Sequence, residues 1–66
     1  LALTNDAGTH YALGMTLAVQ GKWEPAIEQY TAALALWDHP LIQFNMAVTL
    51  IRLDRALEFL IGDRLR

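Results

Sequence analysis

The sequence has no cysteine, no serine and only two prolines, and it contains no long apolar run. Without cysteine, a chain of 66 residues has no disulfide to compensate for the small core that so short a chain can build. Its two histidines, His10 and His39, are far apart and lack paired ligands, so no metal site or other cofactor is expected. The longest weakly polar stretch, residues 41–53, is interrupted by polar side chains. Because a membrane-spanning helix needs about 20 apolar residues, no membrane partner is expected.

Basic residues are scarce as well. Five lysines and arginines against seven aspartates and glutamates give a net charge of −2. Nucleic-acid binding needs a clustered basic face, so no nucleic-acid partner is expected. The beginning of the sequence has neither the basic flank nor the uninterrupted apolar run of a secretory signal. Since the absence of cysteine is compatible with the cytosol, we expect a cytoplasmic location.

The inventory of side chains argues against catalysis. Serine and cysteine are missing, and no threonine has a neighbouring partner base in the sequence. Asp6 and His10 stand four residues apart and would share one face of a helix. A surface hydrogen bond between them is a simpler interpretation than acid–base chemistry. We therefore expect a protein that is not an enzyme.

Apolar side chains are abundant, at 55% of all residues against 18% charged. This composition is too apolar for a disordered linker. It is also very apolar for a free-standing domain in which so much of the chain lies at the surface. We therefore expect a single module, residues 1–66, that belongs to a longer chain, packs against a partner or associates with a copy of itself.

The spacing of the apolar residues is helical rather than alternating on both sides of two turn signals, residues 21–22 and 38–40. The pattern predicts an all-α fold of antiparallel helices joined by short turns. Asn5 or Asp6 can cap the first helix, and Pro25 can lie in the opening turn of the second. Pro40 can open the third helix, with Asp38 or His39 just before it.

The third helical segment has two interpretations. Residues 41–61 contain neither glycine nor proline and consist mainly of good helix formers, which favours one helix of roughly 20 residues. Asp54 could instead cap a new helix, and this is the only local sign of a break. The sequence leaves both structures open.

An internal repeat is visible at a spacing of 33 residues, where Leu13-Gly14 aligns with Met46-Ala47. The first unit resembles the tetratricopeptide repeat (TPR) family, in which a Leu-Gly pair on one helix precedes a turn glycine, an aromatic residue and an Ala, aromatic, Ala pattern on the next. The matching residues are Leu13, Gly14, Leu17, Gly21, Trp23, Ala26, Tyr30 and Ala33. Gly14 and Ala26 are small where two helix axes must approach closely, and Gly21 permits the left-handed backbone that ends a helix.

The resemblance implies antiparallel hairpins that stack into a right-handed superhelix, or α-solenoid. Repeat one spans about residues 7–38 and a partial repeat two about residues 40–66, in which the turn glycine is missing. The implied function is a scaffold or adaptor module that presents a mostly apolar concave surface to a peptide or helix of another protein. The alternative is a structural segment that completes or oligomerises a larger assembly and has no groove ligand of its own.

Carried over residue by residue, the resemblance places a set of side chains in the concave groove. The partner-binding candidates are Tyr11, Met15, Val19, Asn45, Val48 and Arg52, with Ala12 and Phe44 beside them. Asn45 matches an asparagine that TPR domains often use to hold a peptide backbone or terminal carboxylate. The lysines of the chaperone-type carboxylate clamp are absent, because Tyr11 and Met15 stand in two of their places.

Two alternatives to a groove ligand remain. Tyr11, Met15 and Phe44 could pack against neighbouring helices of a longer chain. The apolar ends could also mediate homo-oligomerisation, since repeats with apolar terminal faces tend to stack. The self-association candidates are Leu57, Leu60 and Ile61, together with Leu1 and Leu3.

Overall fold

A computed structural model describes residues 6–65, and these form three helices with no strand among them. The helices are α1 (Ala7–Val19), α2 (Trp23–Leu36) and α3 (Pro40–Leu65). The all-α prediction is therefore confirmed for this part of the chain. Leu1, Leu3 and Asn5 lie outside the described residues.

The ends of α1 follow the local signals in the sequence. At its start, the Asp6 carboxylate accepts a hydrogen bond from the backbone N–H of Gly8 at 3.0 Å, so Asp6 acts as the predicted cap. At its end, Gly21 has φ of 78°, the left-handed conformation that glycine adopts without steric cost. The N–H groups of Gly21 and Lys22 then donate to the carbonyls of Ala18 and Leu17. This pattern satisfies the last carbonyls of α1 and reverses the chain.

The turn between α2 and α3 resolves which residue caps the third helix. Nδ1 of His39 accepts a hydrogen bond from the backbone N–H of Leu41 at 3.1 Å. The imidazole also lies against the Trp37 ring, with ring centroids 4.3 Å apart. Asp38 has a different role, because its carboxylate accepts from the side-chain amide of Gln43. His39 rather than Asp38 therefore caps the start of α3.

The core is centred on α2, which contacts both α1 and α3. Tyr30 is only 1% exposed, and Ala26 and Ala33 are fully buried. Gly14 of α1 faces the Tyr30 ring so closely that a β-carbon at that position would lie 2.7 Å from one ring carbon. The small residues thus permit the close approach of α1 and α2 that the sequence predicts.

α3 runs without interruption from Pro40 to Leu65, so residues 41–61 form one helix rather than two. Asp54 does not start a new helix, in agreement with the absence of a turn residue. Within residues 6–65, none of the helices combines the length and the apolar character that a bilayer crossing requires.

The last part of α3 is largely exposed. Leu57, Glu58, Phe59, Leu60 and Ile61 are all exposed, and five successive residues cover more than a full helical turn. Leu60 lies on the same face of α3 as the buried residues Ile42 and Thr49. The side of α3 that packs against α2 therefore continues along α3 past the point where α2 begins, and α2 does not cover it there. We refer to residues 54–62 as the α3 tail.

Two glycine substitutions test the close approach at Gly14. Gly14→Ala places a methyl group against the buried Tyr30 ring, so we expect the free energy of unfolding to fall by about 1–3 kcal/mol. In the matched control, Gly62→Ala, the added β-carbon meets no atom within 4 Å. The better helix propensity of alanine should leave stability unchanged or raise it by up to about 1 kcal/mol. Urea unfolding followed by circular dichroism measures both changes, and equal effects would contradict this packing.

Candidate binding cleft

A cleft of about 340 Å³ opens between α1 and α3, with residues of α2 on its floor. Its volume lies in the range of natural ligand-binding pockets. Its lining residues are Met15, Ala18, Val19, Trp23, Tyr30, Asn45, Val48, Thr49 and Arg52. The structure thus brings together Met15, Val19, Asn45, Val48 and Arg52, five of the six partner-binding candidates.

Tyr11, the sixth candidate, lies next to the cleft rather than in its lining. Its hydroxyl oxygen accepts a hydrogen bond from Nδ2 of Asn45 at 2.6 Å. Its ring also packs against the Tyr30 ring, with ring centroids 5.9 Å apart. Tyr11 therefore joins α1 to both other helices and fixes one end of the cleft.

The walls of the cleft are mainly apolar. Met15 and Val19 are exposed on the α1 side, and Val48 is half-buried on the α3 side. Met15 and Val19 are four residues apart, so they lie on one face of α1. On α3, Val48 and Arg52 stand three and seven residues after Asn45 and share a face with it in the same way. Trp23, at the start of α2, closes the same end as Arg52. An apolar surface that is open to solvent is suited to burying a side chain of a partner.

Asn45 has already used its hydrogen-bond donors. Its amide nitrogen donates to the Tyr11 hydroxyl and also to the backbone carbonyl of Leu41, at 2.9 Å. A carboxamide has two N–H donors and one carbonyl acceptor, so only Oδ1 remains for a ligand. Asn45 in this arrangement cannot donate to a carboxylate, although the family resemblance implies such a role. It can accept a hydrogen bond from a partner.

Arg52 carries the only positive charge in the lining of the cleft. Its side chain is exposed, and it makes no hydrogen bond or ion pair with any residue of the described chain. An arginine head group without an internal partner keeps its full capacity to bind a carboxylate or to lie on an aromatic ring. The cleft thus offers a ligand one free hydrogen-bond acceptor, Oδ1 of Asn45, and one free cation, the guanidinium of Arg52.

The floor of the cleft is a buried pair of hydroxyl groups. Tyr30 and Thr49 are 1% and 2% exposed and are hydrogen-bonded to each other. The Thr49 hydroxyl donates to the backbone carbonyl of Asn45 at 2.8 Å. Burial raises the pKa of Tyr30 above its ordinary value of 10.0; the hydrogen bond with Thr49 opposes the rise, and nearby Tyr11 adds to it.

Sequence reasoning missed part of the lining. It did not include Trp23, Tyr30, Ala18 or Thr49 among the groove candidates, although Thr49 stands four residues after Asn45 and so shares its face of α3. It also placed Phe44 beside the groove, whereas the structure leaves Phe44 64% exposed and outside the lining.

The three self-association candidates lie away from the cleft. Leu57, Leu60 and Ile61 are exposed on the α3 tail, beyond Arg52. They extend the apolar surface of the chain past the end of α1 and past the start of α2. The structure therefore separates the two predicted interaction surfaces along one helix.

Asp6 and His10 do not form the expected pair. The Asp6 carboxylate caps α1 through Gly8, while Nδ1 of His10 is hydrogen-bonded to the side-chain oxygen of Gln29 at 2.8 Å. His10 thus connects α1 to α2. Within residues 6–65, no three His, Cys, Asp or Glu side chains are grouped so that they could hold a metal ion.

Comparison of the chain with known protein families, curated proteins and solved structures finds no significant match. The chemistry of the cleft is therefore the basis for assigning a function.

The raised pKa of Tyr30 predicts how stability depends on pH. In the unfolded chain Tyr30 ionises near its ordinary pKa, whereas the folded protein keeps the proton to higher pH. Unfolding therefore releases a proton in this window, and the free energy of unfolding falls as the pH rises above about 10. Urea unfolding at a series of pH values measures the slope. The Tyr30→Phe variant lacks this titration, so its slope should be shallower, and an identical slope would contradict the assignment.

Proposed function

We propose that this chain is a TPR-like interaction module that holds an amphipathic helix of another protein in the cleft between α1 and α3. The observation that carries the proposal is the combination of apolar walls with a single free cation at Arg52. An amphipathic helix that lays its apolar face into a groove is a recurrent mode of peptide recognition. The module acts by binding and contributes no catalytic group.

A helix suits this cleft better than an extended peptide. An extended segment brings backbone N–H and C=O groups that must be satisfied when they are buried. The cleft offers little to satisfy them, because the donors of Asn45 are taken by Tyr11 and Leu41. A helix satisfies its own backbone and presents only side chains. Apolar side chains of the partner would lie against Met15, Val19 and Val48.

Arg52 favours a partner with an acidic side chain close to its apolar anchors. The guanidinium has no partner in the described chain, so binding a carboxylate breaks no existing ion pair. A charge-assisted hydrogen bond of this kind is stronger than a neutral one. Since the group is exposed, its effect is expected to be larger on specificity and association rate than on total affinity.

The TPR-like assignment is supported by the contact that the resemblance requires between the helices of one hairpin. Gly14 approaches the Tyr30 ring and the Ala26 carbonyl, and both Ala26 and Ala33 are buried. As part of this proposal, α1 and α2 form one hairpin, and the start of α3 is the first helix of the next unit in a solenoid. The cleft then corresponds to the concave side.

The α3 tail favours a second candidate function. Its apolar residues, including Leu57 and Leu60, are about half exposed, as expected for a structural segment that completes a larger assembly. In that case the tail rather than the cleft would be the main interaction surface, and the cleft would need no ligand.

Synthetic amphipathic peptides test binding in the cleft. The probe carries leucines at helical spacing and one glutamate, and fluorescence of Trp23 in a Trp37→Phe background reports on the cleft itself. We expect Val48→Asp to weaken binding by at least about tenfold, which corresponds to about 1.4 kcal/mol. The matched control is Ala47→Asp, which introduces the same charge at an exposed neighbouring position outside the lining.

A charge exchange tests the role of Arg52. Arg52→Glu should weaken binding of the glutamate peptide, and replacing that glutamate by lysine should restore it. Circular dichroism of each variant checks that the helices are intact. If Val48→Asp and Ala47→Asp bind the peptide equally well, the cleft is not the binding site.

A further inference from the structure

We infer that, without a partner helix, the cleft is filled by a second copy of this chain. Two α3 helices cross in antiparallel orientation about a two-fold axis, and each places Phe59 in the cleft of the other copy. The inference rests on the binding cleft of the proposed function and adds a means of regulating it. The dimer is the closed form of the module, because the cleft cannot hold Phe59 and a partner helix together.

Phe59 is the side chain in the tail that is best placed to enter a cleft. It is 76% exposed, more than any other aromatic residue of the described chain. Leaving a phenylalanine so exposed is unfavourable, since an aromatic side chain of this kind buries about 150–250 Å² when it is covered. Its neighbours on both sides, Glu58 and Leu60, are exposed as well. Most of the Phe59 side chain is therefore left uncovered by the described residues.

Phe59 and the cleft lie on the same line along α3. Phe59 follows Arg52 by seven residues and Val48 by eleven. At about 100° per residue, both spacings return to within about 20° of the same direction around the helix. Val48 and Arg52 line the cleft, so Phe59 points in the direction in which the cleft opens from α3. The same side of α3 thus carries both the exposed Phe59 ring and one wall of the cleft.

This placement is self-complementary. In an antiparallel pair with its two-fold axis between Asp54 and Arg55, Phe59 of one copy lies level with the gap between Val48 and Arg52 of the other. Residues four apart on a helix border the kind of hole that accepts a side chain from a facing helix. A two-fold contact repeats itself, so both clefts are filled at once and the assembly closes as a dimer.

The chemistry of the cleft fits an aromatic ring. The ring would contact Met15 and Val48, and a methionine sulfur is a favourable neighbour for an aromatic ring. The guanidinium of Arg52, which has no ion pair within the described residues, could then lie over the ring face in a cation–π contact. This arrangement uses the one free cation of the cleft without requiring an acidic partner.

The mass of the 66-residue chain in solution is the first test. Across a dilution series, sedimentation should show a species of about twice 7.4 kDa at high concentration that dissociates on dilution. Phe59→Ala should move the midpoint of dissociation to at least about tenfold higher concentration. The matched control, Phe44→Ala, removes the same type of exposed ring from a part of α3 outside the cleft lining and should leave the midpoint unchanged.

Disulfide trapping locates the contact. The chain has no cysteine, so introduced thiols react without background. Oxidised Arg55→Cys should run as a covalent dimer, because Arg55 adjoins the two-fold axis and follows Val48 by seven residues, which places it on the side of α3 that faces the other copy while Phe59 and Val48 are kept. In the control, Asp54→Cys, the thiol also adjoins the axis but points about 120° away from Val48 around α3, and cross-linking should be at background level.

Three results would overturn the inference: a monomer at all concentrations, a dimer that Leu60→Asp dissociates but Phe59→Ala does not, or equal cross-linking of the two cysteine variants. The test is separable from that of the proposed function. If Phe59→Ala gives a monomer that binds the amphipathic peptide more tightly than the unmodified chain, both stand. If the unmodified chain is a monomer that binds the peptide, only the dimer fails. If Phe59→Ala dissociates the dimer but no peptide binds, only the proposed function fails.

Discussion

The close approach of α1 to the Tyr30 ring is the contact on which the rest of the structure depends. Gly14 leaves room for the ring between the two helices, and the buried ring then reaches α3 through its hydrogen bond with Thr49. The Tyr11 ring packs against it from the α1 side. One side chain of α2 thus lies between α1 and α3 and lines the cleft that they form.

Much of the fold could be predicted because its determinants are local. The cap at Asp6 and the left-handed turn at Gly21, which bound α1, depend on residues that are close in sequence. The third helix was harder to predict, since Asp54 is a plausible cap and only the absence of a turn residue argues against a break there. Its continuity depends on the sum of weak helix preferences over many positions rather than on a single signal.

Part of the cleft lining could be predicted from the sequence, but the hydrogen bonds around it could not. The resemblance to the TPR family grouped Met15, Val48 and Arg52, and in the structure these three residues line one cleft. The hydrogen bonds of Asn45 were not predictable, because they depend on the Tyr11 hydroxyl, which is 34 residues away in sequence. Which side chains face outward depends on burial by other helices, so the sequence did not show that Phe44 is exposed and lies outside the cleft lining.

The uninterrupted course of α3 has a mechanical consequence. The same rigid helix forms one wall of the cleft and carries the tail, so a molecule bound to the tail is held at a defined height and angle relative to one in the cleft. Each residue inserted between Arg52 and Leu57 would shift the tail by about 1.5 Å and rotate it by about 100°. The length of this segment therefore fixes the rotation of the tail relative to the cleft. Inserting or deleting a single residue would turn the two surfaces out of alignment without altering either one.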